Sequence, residues 1–178
     1  VMSGNDLNTA MNRIENGTWE LVLDGDYKDI YYTYLVTVNG KVNEAVDPYA
    51  KAVGVNGRRA MVVDLASTDP LGWAQDQFIR LDHNTDAIIY ELHIRDFSID
   101  PDSGISAANK GKYLAFTEKG TTSPGGSKTG IDHLIELGVT HVHLLPTFDF
   151  RSIDETKLEN NTFNWGYDPQ HFNVPEGS

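Results

Sequence analysis

Phe163-Asn164-Trp165-Gly166-Tyr167-Asp168-Pro169 packs three aromatic rings, an amide, a glycine and an Asp-Pro turn into one short stretch. Flat aromatic faces suit the apolar faces of pyranose rings, and Asn and Asp side chains hydrogen-bond a hydroxyl edge. Asn164, Trp165, Tyr167 and Asp168 are therefore candidate carbohydrate-binding residues. The plainer alternative is an aromatic cluster that anchors a long loop, because aromatic side chains more often pack than bind. A second candidate stretch, Tyr90 to Phe97, carries Glu91, His93, Arg95 and Asp96. Arg95-Asp96 reads as an ion pair or a hydrogen-bonding element. His141 and His143 are two apart on an expected strand and point to one face, with His93 as a further imidazole. Spacing places no third ligand beside them, so a metal site is not expected. Retaining glycosidases need two carboxylates about 5 Å apart across the scissile bond. No spacing here singles out such a pair, and Asp149, Asp154 and Glu155 read as solvated loop charges. The chain has no phosphate-binding glycine loop, no Gly-x-Gly-x-x-Gly after the expected first α/β strand and no Gly-x-Ser-x-Gly, so nucleotide binding and serine hydrolysis have no support.

The elements that must position these residues fall into two patterns. Thr18–Leu23, Ile30–Val38, Val42–Val46 and Ala60–Leu65 are short runs rich in β-branched and aromatic residues. Asn39-Gly40 is a hairpin signal, and Asp47-Pro48 and Asn56-Gly57 mark further turns. Too few strands are present for a complete sandwich, so residues 1–65 are expected to be its C-terminal part. Residues 66–86 read as a linker around Trp73. Ala87–Ile94 is then nearly continuous in apolar residues, as in a strand buried on both faces. Residues 98–126 form a segment too long for a simple connection. Ile131, Leu134, Ile135 and Leu137 show helical spacing, with Thr129 as N-cap, Asp132 in the first turn and Gly138 as stop. Val139–Leu145 is a second strand. Strand, helix, strand predicts a βαβ unit with parallel strands. Sites on such units lie at the C-terminal strand ends and in the loops after them, which is where Tyr90–Phe97 and the stretch after Pro146 fall. That stretch reads as a polar loop without periodicity.

Composition narrows the partners. Fourteen Lys and Arg against 26 Asp and Glu give a net charge of −12, which repels phosphate backbones and anionic membranes, so neither nucleic acid nor membrane is an expected partner. There is no cysteine, which excludes disulfides, thiolate metal sites and cysteine nucleophiles. With 178 residues the chain is long enough for one domain or two incomplete ones. Val1–Asp6 lacks the pattern of a signal peptide, and Val174–Ser178 reads as loop chemistry. Both ends are expected to be cuts within a longer chain. The compartment stays open between secreted and cytoplasmic bacterial, with the secreted one slightly favoured.

Asn164-Trp165-Gly166-Tyr167-Asp168-Pro169, preceded by an aromatic, resembles the Tyr-Asn-Trp-Gly-Tyr-Asp-Pro signature of type I pullulanases, with Phe163 in place of the first Tyr. Tyr90–Ser98, Lys110–Glu118, Thr129–Leu134 and Gly138–Pro146 resemble that family's first barrel strand, following loop, first helix and second strand. Val46–Ala52 with Asn56–Arg59 is similar to the end of its starch-binding β-sandwich module. The resemblance runs from about Trp19 to Ser178. It implies the first βαβ part of a (β/α)8 TIM barrel (87–178), preceded by the C-terminal part of an immunoglobulin-like sandwich. It implies retaining hydrolysis of α-1,6 branch links in pullulan, amylopectin and limit dextrins by the parent enzyme, without a required cofactor and with calcium admissible there. Tyr167 would stack on a sugar next to the scissile bond, with Asp168 beside that subsite and Asn164, Trp165 and His93 around it. The family's catalytic carboxylates sit on later strands, so no catalytic residue carries over and the chain alone is expected to be inactive, its partners being the glucan and the rest of the same enzyme. Two alternatives are a non-catalytic glucan-binding fragment and an isoamylase or branching-enzyme relative. In the first, Trp19, Tyr31, Tyr32, Tyr34 and Trp73 would line a glucan surface rather than pack.

Overall fold

The computed structural model describes residues 8–177. The sequence reading of Val1–Asp6 lies outside them, as does Ser178. In the N-terminal half β1 (Asn12–Arg13) pairs antiparallel with β2 (Trp19–Glu20). The expected single strand Ile30–Val38 breaks at Thr33 into β3 (Tyr31–Tyr32) and β4 (Tyr34–Val38), because the two parts serve different ladders. β4 pairs antiparallel with β5 (Lys41–Ala45), and β3 with β6 (Ala60–Met61). Asn39 and Gly40, both at positive φ (50° and 77°), make the two-residue turn between β4 and β5, the geometry whose twist matches paired strands. The expected strand Thr18–Leu23 shortens to β2, and Val22 beyond it is 78% exposed. The run after β6 ends early because the Asp64 carboxylate accepts from Ala66 N (3.1 Å) and turns the chain into a 3₁₀ helix, Leu65–Thr68. Residues 66–86 continue as short 3₁₀ turns and are exposed apart from Leu81.

In the C-terminal half β7 (Ile89–Leu92) runs parallel to β8 (His141–Leu144), with helix α1 (Gly130–Glu136) between them in sequence. Ile89 pairs with His141 and Leu92 with Leu144. Ile88 and Ile89 are 51% and 66% exposed, so β7 is not buried on both faces as its composition predicts. Its one strand partner among the described residues is β8, and a two-stranded ladder covers little of either face. Thr129 occupies the N-cap position, but its hydroxyl donates to Ser103 O (2.5 Å) rather than capping the helix. Asp132, in the first turn, instead accepts from Gly120 N. Of the expected helical stripe, Leu134 is buried while Ile135 and Leu137 are exposed.

The long segment 98–126 is ordered by its own polar contacts. Buried Ser98 accepts from Gly111 N through Oγ (2.8 Å) and from Ser103 Oγ through its carbonyl (2.9 Å). Glu118 gathers Ser106 and Asn109, and those donors hold its carboxyl below the ordinary value, the Ser106 hydroxyl foremost. Phe97 stacks on Phe116 at 4.8 Å. The stretch after Pro146 is not the featureless loop its composition suggests. β9 (Phe148–Phe150) pairs antiparallel with β10 (Pro169–Pro175), which takes in Val174 and Pro175 from the stretch read as loop. Val174 of β10 packs with Ala50 and Ala60 in one apolar core with Tyr32, Val46 and Val53 at its edge, so the two halves share that core.

Candidate functional site

The turn before β10 is built on Asn164. Its Oδ1 accepts from Gly166 N (2.6 Å), its Nδ2 donates to Asp168 Oδ1 (2.8 Å), and its carbonyl accepts from His93 Nε2 (2.9 Å). One amide side chain thus closes the turn and orients the carboxylate four residues on. Gly166 stands at φ +87°, and a Cβ there would lie 2.3 Å from the Pro146 carbonyl oxygen. Only glycine satisfies both the left-handed backbone and the close approach to the end of the β8 segment. The structure therefore brings His93, from the end of β7, to Asn164 and Trp165, joining both stretches that the sequence singles out.

His93 Nδ1 accepts from Asp96 N (3.4 Å) while Nε2–H donates to Asn164 O, so both ring nitrogens are engaged. Its ring lies 5.1 Å from Phe163 and 6.3 Å from Trp165, and Phe163 meets Trp165 edge to face at 5.0 Å. Arg95 pairs with Asp96 at 3.5 Å, bonds Asn161 and lies 5.9 Å over the Phe163 ring. Part of the aromatic cluster is therefore anchoring, as the plainer reading holds. The rest faces out: Trp165 is 59% and Tyr167 70% exposed.

Asp168 is held on both carboxylate oxygens, by Asn164 at Oδ1 and by the Ser152 hydroxyl at Oδ2. Its carbonyl accepts from Arg151 N (3.3 Å). Ser152's hydroxyl, then Asn164, holds the Asp168 carboxyl below its ordinary value, so it is an ionised acceptor at neutral pH. Asp168 and Ser152 open onto a cleft of about 1010 Å³ that also touches Asn56, Arg58, Arg151 and Gln170.

The carboxylates read as solvated loop charges are not all solvated. Asp149 is buried on β9, with Oδ2 3.9 Å from His171 Nε2, because β9 folds it against β10. Desolvation foremost, then the charge of Glu176, pushes its carboxyl up to about 6. Asp154 Oδ1 accepts from Thr156 and Asn56, and Glu155 bonds the Asn56 backbone. His141 meets Thr140 Oγ1 (2.9 Å) and His143 meets Glu91 (3.1 Å). Among the described residues no group of three or more His, Asp or Glu is placed to hold a metal ion. No helix of the described residues is long and apolar enough to cross a membrane. Tyr32 donates to Asp47 (2.7 Å) and edges the shared core, while Trp19, Tyr31 and Trp73 are at least half exposed. Sequence reasoning missed Ser152, which no motif marks.

A comparison with family models returns no match. A pullulanase of Bacillus subtilis is 45% identical over 168 residues, covering 94% of this chain and 22% of that protein. The solved pullulanase of Bacillus acidopullulyticus superposes with a TM-score of 0.88 at 55% identity, over 94% of this chain and 20% of that one. A Paenibacillus barengoltzii pullulanase in complex with maltohexaose and α-cyclodextrin gives a TM-score of 0.91 at 55% identity, over 94% and 26%. Sequence and fold agree on one class of relatives, the pullulanases, which are glycoside hydrolases. The chain belongs to the pullulanase family, and it spans about a fifth to a quarter of the length of the relatives it matches.

Proposed function

We propose that the chain acts as the glucan-contacting segment of a pullulanase that hydrolyses α-1,6 links in pullulan, amylopectin and limit dextrins with retention. The catalytic carboxylates come from the rest of that enzyme, which is the partner this chain requires. Residues 1–65 serve as the C-terminal part of a sandwich module, 66–86 as linker, and 87–178 as the opening of a (β/α)8 barrel. The parallel β7–β8 pair with α1 between them in sequence supports the barrel reading. The antiparallel ladders and turn chemistry before residue 65 support the module.

The observation that carries the site is the exposed Tyr167 ring beside an Asp168 carboxylate fixed on both oxygens. The ring offers a stacking face, and the carboxylate accepts hydroxyls at the sugar edge. Trp165 extends the apolar surface, and Asn164 and His93 hold the turn that presents it. Occupation of the similar Paenibacillus protein by maltohexaose and α-cyclodextrin supports an α-glucan as the ligand.

The test is pullulan hydrolysis by the full-length protein carrying this chain. Maltotriose is the expected product. Tyr167→Ala raises KM about tenfold, the equivalent of one good aromatic contact. Absence of maltotriose overturns the activity, and an unchanged KM in the variant overturns the site.

A further inference from the structure

We propose that Ser152 is a positioning residue for substrate binding, fixing the Asp168 carboxylate in the orientation that receives glucan hydroxyls. The proposal rests on the reading of Tyr167 and Asp168 as a glucan site. Ser152 precedes Asp168 by 16 residues and comes from a different segment, the one that follows β9. Asn164 alone fixes one carboxylate oxygen and leaves rotation about Cβ–Cγ open. A second donor on the other oxygen removes that freedom. The Arg151 N–H to Asp168 carbonyl contact holds the two segments in register, so the hydroxyl is delivered by backbone pairing and not by a free loop.

A carboxylate offers about four acceptor positions; the Ser152 hydroxyl and Asn164 engage one on each oxygen, and the Ser152 backbone adds a further bond. The remaining lone pairs are left for ligand hydroxyls. Both Ser152 and Asp168 line the same cleft, so the positioning hydroxyl lies on the solvent-accessible side of the carboxylate. Ser152 is itself exposed, and its loss leaves no buried polar group without a partner.

The experiment measures pullulan kinetics and thermal midpoint for Ser152→Ala, Ser152→Thr, Asp168→Asn and Tyr167→Ala in the full-length protein. Ser152→Ala is expected to raise KM about three- to tenfold, with the loss on KM rather than kcat and the melting midpoint held. Ser152→Thr keeps the hydroxyl and restores KM to within about twofold. A raised KM for Tyr167→Ala and Asp168→Asn with no change for Ser152→Ala overturns the positioning role and leaves the site standing. Unchanged KM for Tyr167→Ala and Asp168→Asn overturns the site reading itself. A Ser152→Ala effect accompanied by a lowered midpoint, or one that Thr fails to rescue, assigns Ser152 to loop stability and overturns the proposal.

Discussion

Two corners of the chain use the same device to different ends. At Asn56-Gly57 and at Asn164–Gly166, an asparagine side chain bridges backbone and carboxylate, and a glycine sits at positive φ where a Cβ would collide with its surroundings. The first corner is closed on both sides. Asn56 exchanges hydrogen bonds with Glu155 and donates to Asp154, nearly a hundred residues away, and the Gly57 carbonyl accepts from His171 Nε2 (2.8 Å) and Gln170 Nε2 (3.3 Å). The second corner is closed on one side only. Its amide is bonded at both Oδ1 and Nδ2, but Trp165 and Tyr167 stand in solvent. Polar groups bonded across distant segments mark a joint, and polar groups that hold exposed rings mark a platform. The first corner joins the halves, and the second presents a face.

The sharpest way to break this comparison is Gly57→Ala. A Cβ there would meet Asp149 Oδ2 at 2.8 Å and Gln170 and His171 at 2.9 Å, on a backbone at φ +61°. We expect a loss of about 3 kcal/mol in unfolding free energy by denaturant titration, combining left-handed strain and overpacking. A stability within error of wild type would show that the corner is loose and the halves are joined elsewhere. Asn56→Ala is milder. It removes both side-chain bonds to the 154–155 turn and costs about 2 kcal/mol, because Glu155 N loses its acceptor. Tyr167→Ala, in contrast, should leave stability unchanged and act on KM alone. If Asn56→Ala raised KM without lowering stability, the distinction between joint and platform would fail.

The sequence made some of this legible and not the rest, for reasons of physics. The Asn39-Gly40 hairpin and the β7–α1–β8 order were readable because local turn chemistry and period dictate them. The Asn164–Pro169 turn stands out by composition as a candidate site. Its contact with Ser152 does not, since a lone serine in a polar loop carries no local signal and meets Asp168 through the Arg151–Asp168 register. Asn56-Gly57 was readable as a turn but not as a joint, because its partners at 154, 155, 170 and 171 are set by the tertiary fold. The break at Thr33 and the burial of Asp149 were hidden for the same reason: each depends on which distant strand pairs with which residue.

Asp149 offers the finest test of the closed corner. Its carboxyl is buried against Gly57 and β10, and Oδ2 has no hydrogen-bond partner among the described residues. Loss of solvent raises its pKa first, and the like charges of Glu176 and Glu155 add to this against the opposing pull of His171, so that it rises from 3.8 to about 6. A raised carboxyl pKa means the folded chain keeps a proton that the unfolded chain has released. Stability therefore falls as pH climbs from 3.8 to about 6, and the loss is complete above that window. Asp149→Asn keeps the shape and removes the charge. The wild-type decline across this window should flatten in the variant, and at pH 7 the variant should be more stable by roughly 1–3 kcal/mol, a shift that already includes the opposing pull of the His171 imidazole. Unfolding free energies measured from pH 4 to pH 8 decide it. A variant that tracks the wild type throughout would mean that His171 and water already solvate the carboxylate, and the corner would then be wetter than its packing implies.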